Sequence, residues 1–194
     1  MKKVKLIKKQ KSSQSTKWMQ RHLNDEYVIK SKVEGFRSRS SYKLLEIDQK
    51  FKILYKCKNI LDLGCAPGGW LQVVKALTSQ HSVIVGVDKL EIENIKGVKF
   101  IKKDIFDENI VNILSSNFND KVDLVLSDMS PNSSGNKSVD HLRIVSLVER
   151  VIEISKEILR PRGFLISKIF QGGAQGELIQ LMKSHLNNIR YIKP

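Results

Sequence analysis

The sequence predicts a doubly wound α/β domain, a mostly parallel sheet with helices on both faces. Three observations carry that prediction. Five short, mostly apolar runs at residues 59–63, 83–88, 98–102, 122–127 and 163–169 read as strands buried on both faces. Segments with apolar residues at helical spacing separate them, the alternation expected of a parallel sheet with right-handed crossovers. A glycine-rich turn, Asp62-Leu63-Gly64-Cys65-Ala66-Pro67-Gly68-Gly69-Trp70, joins the first run to a helical pattern.

The elements follow in order. Residues 1–16 are Lys, Gln and Ser with few apolar side chains, and read as a basic flexible tail. Ser15 or Thr16 is placed to cap a helix through Lys17 to Lys32. Gly35 punctuates, and Arg37-Ser38-Arg39-Ser40 forms a short basic loop before a helix over residues 41–55, whose Leu44, Leu45, Ile47, Phe51 and Leu54 share helical spacing. Residues 17–58 thus form a basic helical part packed on the sheet, and residues 59–194 the core. Helices are expected at 70–77, 108–114, 141–159 and 177–186. Pro161 and Gly163 mark the passage from the long helix to the fifth strand.

The chain has 194 residues, enough for one domain with a substantial core. No apolar run approaches the ~18 residues of a membrane span, and no apolar segment follows the basic N-terminus as in a secretory signal. Cys57 and Cys65 make neither a disulfide framework nor a zinc pattern, so no metal is expected and the cytoplasm is the expected location. Charge is uneven. Residues 1–58 hold 17 of the 34 Lys+Arg but only 5 of the 20 Asp+Glu, so nearly all of the net +14 precedes the glycine turn. A near-neutral core with a basic extension points to a polyanionic partner, RNA or DNA.

Ligands of open α/β sheets bind beyond the carboxyl ends of the strands, so the strand ends hold the candidate site. The first strand ends in the glycine turn. Its spacing, G-x-x-x-G-G, differs from the dinucleotide fingerprint, yet glycines there still let backbone approach a nucleotide-type cofactor closely. Asp62, Gly64, Pro67, Gly68, Gly69 and Trp70 are the candidate contacts. The second strand ends in Asp88, suited to the two hydroxyls of an adenosyl ribose. The third precedes Asp104, placed for the adenine amino group, with Ile105 or Phe106 packing on the ring; Asp107 is a candidate N-cap. The fifth strand carries Lys168 in an apolar run, where a lysine is costly unless paired or functional. Lys43 lies on a helix that has to pack near the strand ends.

Four segments together resemble one family. Arg37-Ser38-Arg39-Ser40-Ser41-Tyr42-Lys43-Leu44, Asp62 to Trp70, Ser127-Asp128-Met129-Ser130-Pro131-Asn132 and Lys168-Ile169-Phe170-Gln171-Gly172 match, in order and spacing, the FtsJ/RrmJ family of RNA ribose 2′-O-methyltransferases. The resemblance runs from about Ser15 to Pro194. It implies a Rossmann-like class I methyltransferase fold, S-adenosylmethionine as methyl donor with S-adenosylhomocysteine as product, and large-subunit (23S) ribosomal RNA as substrate, methylated on the 2′-hydroxyl of a uridine during ribosome maturation. It also implies catalytic roles for Lys43, Asp128 and Lys168, with Asp128 additionally near the donor's methionine part. The family's catalytic glutamate would follow Pro194. Residues 189–192 would be a penultimate strand, and a last strand inserted beside the fifth lies beyond them. The sequence is therefore expected to be incomplete at its C-terminus.

In this reading Lys168 stands nearest the 2′-oxygen, either as base or as a cation that stabilises developing negative charge. Lys17, Arg21, Lys30, Lys32, Arg37 and Arg39 are candidate phosphate contacts of a chain expected to be monomeric. Two other readings remain: an mRNA-cap-type 2′-O-methyltransferase, and a non-catalytic RNA-binding or ribosome-assembly factor of the same fold.

Overall fold

The computed structural model describes residues 19, 23–131, 134–169, 180 and 182–193. The tail, Lys17, Arg21, residues 170–179 and residue 181, and with them part of the helix expected at 177–186, lie outside them. Five strands form one parallel sheet: β1 (Asn59–Leu63), β2 (Val83–Asp88), β3 (Lys99–Lys102), β4 (Val122–Ser127) and β5 (Leu159–Ser167). Their order is β3-β2-β1-β4-β5. The chain steps outward from β1 through β2 to β3, then returns to place β4 on β1's other side. The switch point, where a doubly wound sheet opens a crevice, thus lies between the carboxyl ends of β1 and β4.

Alternation along the strands divides the core in two. Ile60, Ile84, Leu124 and Leu126 face one way, against α2 (Ser41–Phe51) and α3 (Gly69–Leu77) through Leu44, Trp70, Leu71 and Val74. Leu61, Leu63, Val85, Val87 and Val125 face the other, against α4 (Ile110–Ser115) and α5 (Lys137–Ile158) through Ile110, Leu114 and Ile154. The two faces confirm the doubly wound prediction.

Several expected boundaries move. The helix expected from Lys17 to Lys32 is interrupted: Asp25 is extended, its Oδ1 accepts the Tyr27 and Val28 amides at 2.9 and 3.3 Å, and a separate helix α1 (Glu26–Glu34) starts there. A strong cap beats continuation, because it satisfies amides that a helix start leaves open. Helix α2 stops at Phe51 rather than Tyr55. Lys52 turns left-handed at φ 50° and Asp48 Oδ1 takes the Ile53 and Leu54 amides, which lets Leu54 drop fully buried into the core. Helix α5 starts four residues before expectation, capped by Asn136, whose Oδ1 accepts from Ser138 and Val139. Helix α4 starts at Ile110, after Asn109, so Asp107 is not its N-cap; Asp107 accepts from the Asn109 amide and pairs with Lys103. Strand β5 begins at Leu159, before Gly163. Val122 pairs with Leu159 and Leu124 with Phe164, so Arg160 to Gly163 loop out between them. Arg160 there binds Asp123, whose other oxygen accepts the Lys58 and Asn59 amides and ties β4 to the start of β1. Residues 189–192, expected as a strand, are not one.

Candidate active site

The glycine turn is built by backbone bonds between neighbouring strand ends. Gly64 and Cys65 both donate to the Val87 carbonyl, at 2.8 and 3.1 Å, which pins the turn to the end of β2. Asp88 completes the join: Oδ2 accepts the Ala66 amide at 2.9 Å and Oδ1 the Leu90 amide at 2.8 Å. Its carboxylate thus shapes the two loops that the ribose of an adenosyl ligand would enter. Cys65 is buried, and burial, then Asp62 and Asp88, push its thiol far up, so it is no nucleophile and serves as a small residue in a tight turn.

Asp62 is 1 % exposed and, among the described residues, its Oδ2 finds no hydrogen-bond partner. Burial, then the charges of Asp128 and Asp88, hold its carboxyl well above the usual carboxylate range. The ends of β1, β2 and β4 therefore gather three acidic side chains, one of them sequestered without a counter-charge. Such an arrangement is costly when empty and suited to a cationic ligand.

The sign of the cost gives a test. The folded chain binds the Asp62 proton more tightly than the unfolded chain does. The associated stability is therefore full only below the unfolded aspartate value of about 4, falls as pH rises above it, and is fully lost once pH passes the raised Asp62 titration. Asp62→Asn removes that loss. Its ligand-free melting temperature should exceed wild type at about pH 8, by about 2–4 °C for each kcal/mol regained, and the gap should narrow toward about pH 5 and close only near the unfolded aspartate value of about 4. Calorimetric melts at the two pH values check this; a variant that melts lower at both overturns the assignment.

Across the switch point, Lys168 follows β5. Its amide donates to the Ser127 carbonyl at 2.8 Å, continuing the β4–β5 ladder. Its ammonium lies 3.0 Å from Asp128 Oδ1 and donates to the Asp128 carbonyl at 2.9 Å. Both side chains are mostly covered, 23 and 19 % exposed. The expected pair is thus brought together at the mouth of the crevice. Met129 turns from the same loop onto Gly64, closing the floor between the glycine turn and the pair.

Lys43 lies exposed on the first turn of α2. That turn is docked on the glycine loop: Ser41 Oγ donates to the Gly69 carbonyl at 3.0 Å, and the Trp70 indole to the Ser40 carbonyl at 2.9 Å. Trp70 is itself buried in the core, so its ring anchors α2. Pro67 is exposed, while Gly68 and Gly69 are covered by the segment before α2.

Other expected contacts are distributed differently. Asp104 is exposed and its Oδ1 accepts the Phe106 amide at 3.1 Å. Ile105 packs in the core against α4 and α5, and Phe106 is the exposed apolar side chain there, at 51 %. Lys30 sits 4.7 Å over the Tyr42 ring and 3.8 Å from Glu34, Arg39 pairs with Asp25, and Lys32 is exposed. Arg37, expected on the same basic face, turns inward onto main-chain carbonyls. Met129 and this use of Arg37 escaped sequence reasoning, because neither a methionine nor a basic residue announces a main-chain or glycine partner. Among the described residues no cluster of His, Cys, Asp and Glu has metal-site geometry, and no helix is long and apolar enough to cross a membrane.

Comparison with known proteins agrees with this geometry. The family model described as FtsJ-like methyltransferase matches residues 36–194. A Rickettsia akari protein named ribosomal RNA large subunit methyltransferase E is 44% identical over 191 residues, covering 96% of this chain and 84% of that one. A Maricaulis maris protein of the same name is also 44% identical, covering 98% of this chain and 67% of its own. A crystal structure from Plasmodium falciparum, described as a ribosomal RNA methyltransferase, superposes with a TM-score of 0.71 at 33% identity, over 77% of this chain and 86% of that one.

Proposed function

This chain belongs to the FtsJ-like methyltransferase family, and on that premise we propose that it transfers the methyl group of S-adenosylmethionine to a ribose 2′-hydroxyl of large-subunit ribosomal RNA, a uridine in the 23S molecule, in the cytoplasm. The single observation that carries the acceptor half is the Asp128–Lys168 pair beside the glycine turn. The names of the relatives support ribosomal RNA as the substrate.

The residues present fit the donor. The unpartnered Asp62 oxygen and the raised Asp62 carboxyl mark a place where positive charge relieves a standing cost. When bound, S-adenosylmethionine supplies a methyl group already activated by positive sulfur. Asp62, the turn from Gly64 to Gly69, Asp88 and Asp104 would hold it, with Asp128 at the methionine end.

The chain's own work is then alignment and proton management. Holding oxygen, carbon and sulfur in line is worth roughly 7–11 kcal/mol. Lys168, fixed by the carboxylate and carbonyl of Asp128, meets the 2′-oxygen. As a base it takes the hydroxyl proton; as a cation it orients the hydroxyl and stabilises the charge growing on oxygen. Lys43 adds positive potential from the first turn of α2. The 2′-hydroxyl distinguishes RNA from DNA, so a site organised around it is an RNA site. Lys30, Lys32 and Arg39, with Lys17 and Arg21 before them, serve as phosphate contacts.

The test is methyl transfer from labelled S-adenosylmethionine to large ribosomal subunits lacking ribose methylation, followed by mapping of the label. Label on one ribose of 23S RNA supports the reading. Label on a base, or no transfer to subunits or free ribosomal RNA, overturns it.

A further inference from the structure

Arg37, in the basic segment before α2, does not stand beside the glycine turn as part of a separate RNA-facing surface. It is bonded to it. Arg37 Nη1 donates to the Pro67 carbonyl at 3.3 Å and to the Glu93 carbonyl at 2.7 Å, and Nη2 donates to the Asn94 carbonyl at 3.2 Å. Pro67 belongs to the turn after β1; Glu93 and Asn94 belong to the loop after β2. These are the two loops that Asp88 joins at their roots through the Ala66 and Leu90 amides. One carboxylate holds the loops together at the strand ends, and one guanidinium holds them together at the rim.

The surroundings are shaped to admit this arginine. Gly68 has φ +104°, and a Cβ there would come 2.9 Å from Nη1 and 3.3 Å from Cδ of Arg37. Part of the glycine content of the turn is thus room for the guanidinium. The Arg37 amide donates to Gln72 Oε1 at 2.8 Å, and Gln72 Nε2 donates to the Gly35 carbonyl at 2.9 Å, so α3 fixes the backbone on either side of Phe36. The arginine side chain is 17 % exposed, and the nearby Glu93 carboxylate is 3.7 Å away. A planar fork reaching carbonyls on two loops is a task for arginine that a lysine cannot reproduce.

We infer that Arg37 is a positioning residue for the adenosyl ligand, a strap that sets the spacing of the loops after β1 and β2, and not a contact to RNA phosphate. The inference rests on the S-adenosylmethionine reading. It makes the basic segment part of the donor site, so a change at Arg37 is felt by the donor when no RNA is present.

Arg37→Ala and Arg37→Lys separate the two roles in the full chain. Binding of S-adenosylhomocysteine is measured by calorimetry without RNA, amide hydrogen exchange is followed in the ligand-free chain, and RNA binding is titrated across salt concentration. Both variants should weaken S-adenosylhomocysteine binding by about tenfold or more, since bonds of a charged donor are lost. Amides of residues 65–69 and 89–97 should exchange faster. Arg37→Ala should retain the wild-type dependence of RNA binding on salt, since no phosphate contact is lost, and a slope lowered by about one overturns the claim that Arg37 does not meet RNA phosphate. Wild-type S-adenosylhomocysteine affinity in either variant overturns the strap. So does restored affinity in Arg37→Lys, which would make charge alone sufficient. Should Arg37→Ala fail to fold, Gln72→Ala takes its place, with the same faster exchange in residues 65–69 and 89–97 expected. A wild-type chain that takes up no S-adenosylhomocysteine overturns the functional reading, and the exchange measurement then decides whether Arg37 holds the loops.

Discussion

Lys168→Ala should lower methyl transfer by about 10²–10⁴-fold, the range seen when a positioned proton-transfer group or a transition-state donor is removed. It should leave S-adenosylhomocysteine affinity close to wild type. The separation follows from where Lys168 stands. Its backbone continues the ladder through Ser127, so truncation leaves the strand ends in place. Its ammonium neutralises Asp128, which already faces Asp62 across the crevice. Removing the cation makes the crevice more negative, which does not weaken the hold on a ligand that carries its own α-ammonium. What is lost is the group that meets the acceptor oxygen. Single-turnover transfer beside calorimetric binding makes the comparison. Lys168→Arg should rescue poorly, because a guanidinium fork does not reproduce the single ammonium held by the Asp128 carboxylate and carbonyl. Turnover within about tenfold of wild type in Lys168→Ala would remove Lys168 from the mechanism.

The strand ends could be read from sequence for a physical reason. Strands β1, β2 and β4 are covered on both faces and so appear as apolar runs, and a polar residue at the end of such a run is conspicuous. Asp88 and Lys168 stand out that way, whereas Asp128 is named only by the family resemblance. What failed to show is whatever depends on a partner distant in sequence. Charge placed Arg37 on the RNA face, but its partners are carbonyls at residues 67, 93 and 94, and a carbonyl leaves no trace in a sequence. Ile105 and Phe106 are both apolar, and only the packing of α4 and α5 decides that Ile105 points inward. The break before α1 was legible in principle, since Asp25 is a good cap ahead of an apolar pattern; the longer periodicity masked it. The looped-out Arg160 to Gly163 was not legible, because the β5 register is set by Asp123 on the neighbouring strand.

Gly64→Ala should destabilise the chain by about 2–4 kcal/mol and depress transfer with it. Two costs add. Gly64 has φ +71°, where an L-residue is disfavoured by about 1–2 kcal/mol. The new methyl would also overlap Met129 Cγ and Sδ, so Met129 has to move. Met129 packs against the core and adjoins Asp128, so its displacement reaches the Asp128–Lys168 pair. Gly35 separates the two costs. Its φ is +77°, nearly the same, yet a Cβ there meets nothing within 4 Å. Gly35→Ala should therefore show the backbone cost alone, about 1–2 kcal/mol. Met129→Ala added to Gly64→Ala should recover the overlap part and not the backbone part. Denaturant melts of wild type, Gly64→Ala, Met129→Ala and the double variant give the coupling directly, with Gly35→Ala as the backbone control. A Gly64→Ala chain no less stable than Gly35→Ala would mean that Met129 gives way freely, and that the floor of the crevice does not link the glycine turn to the catalytic pair.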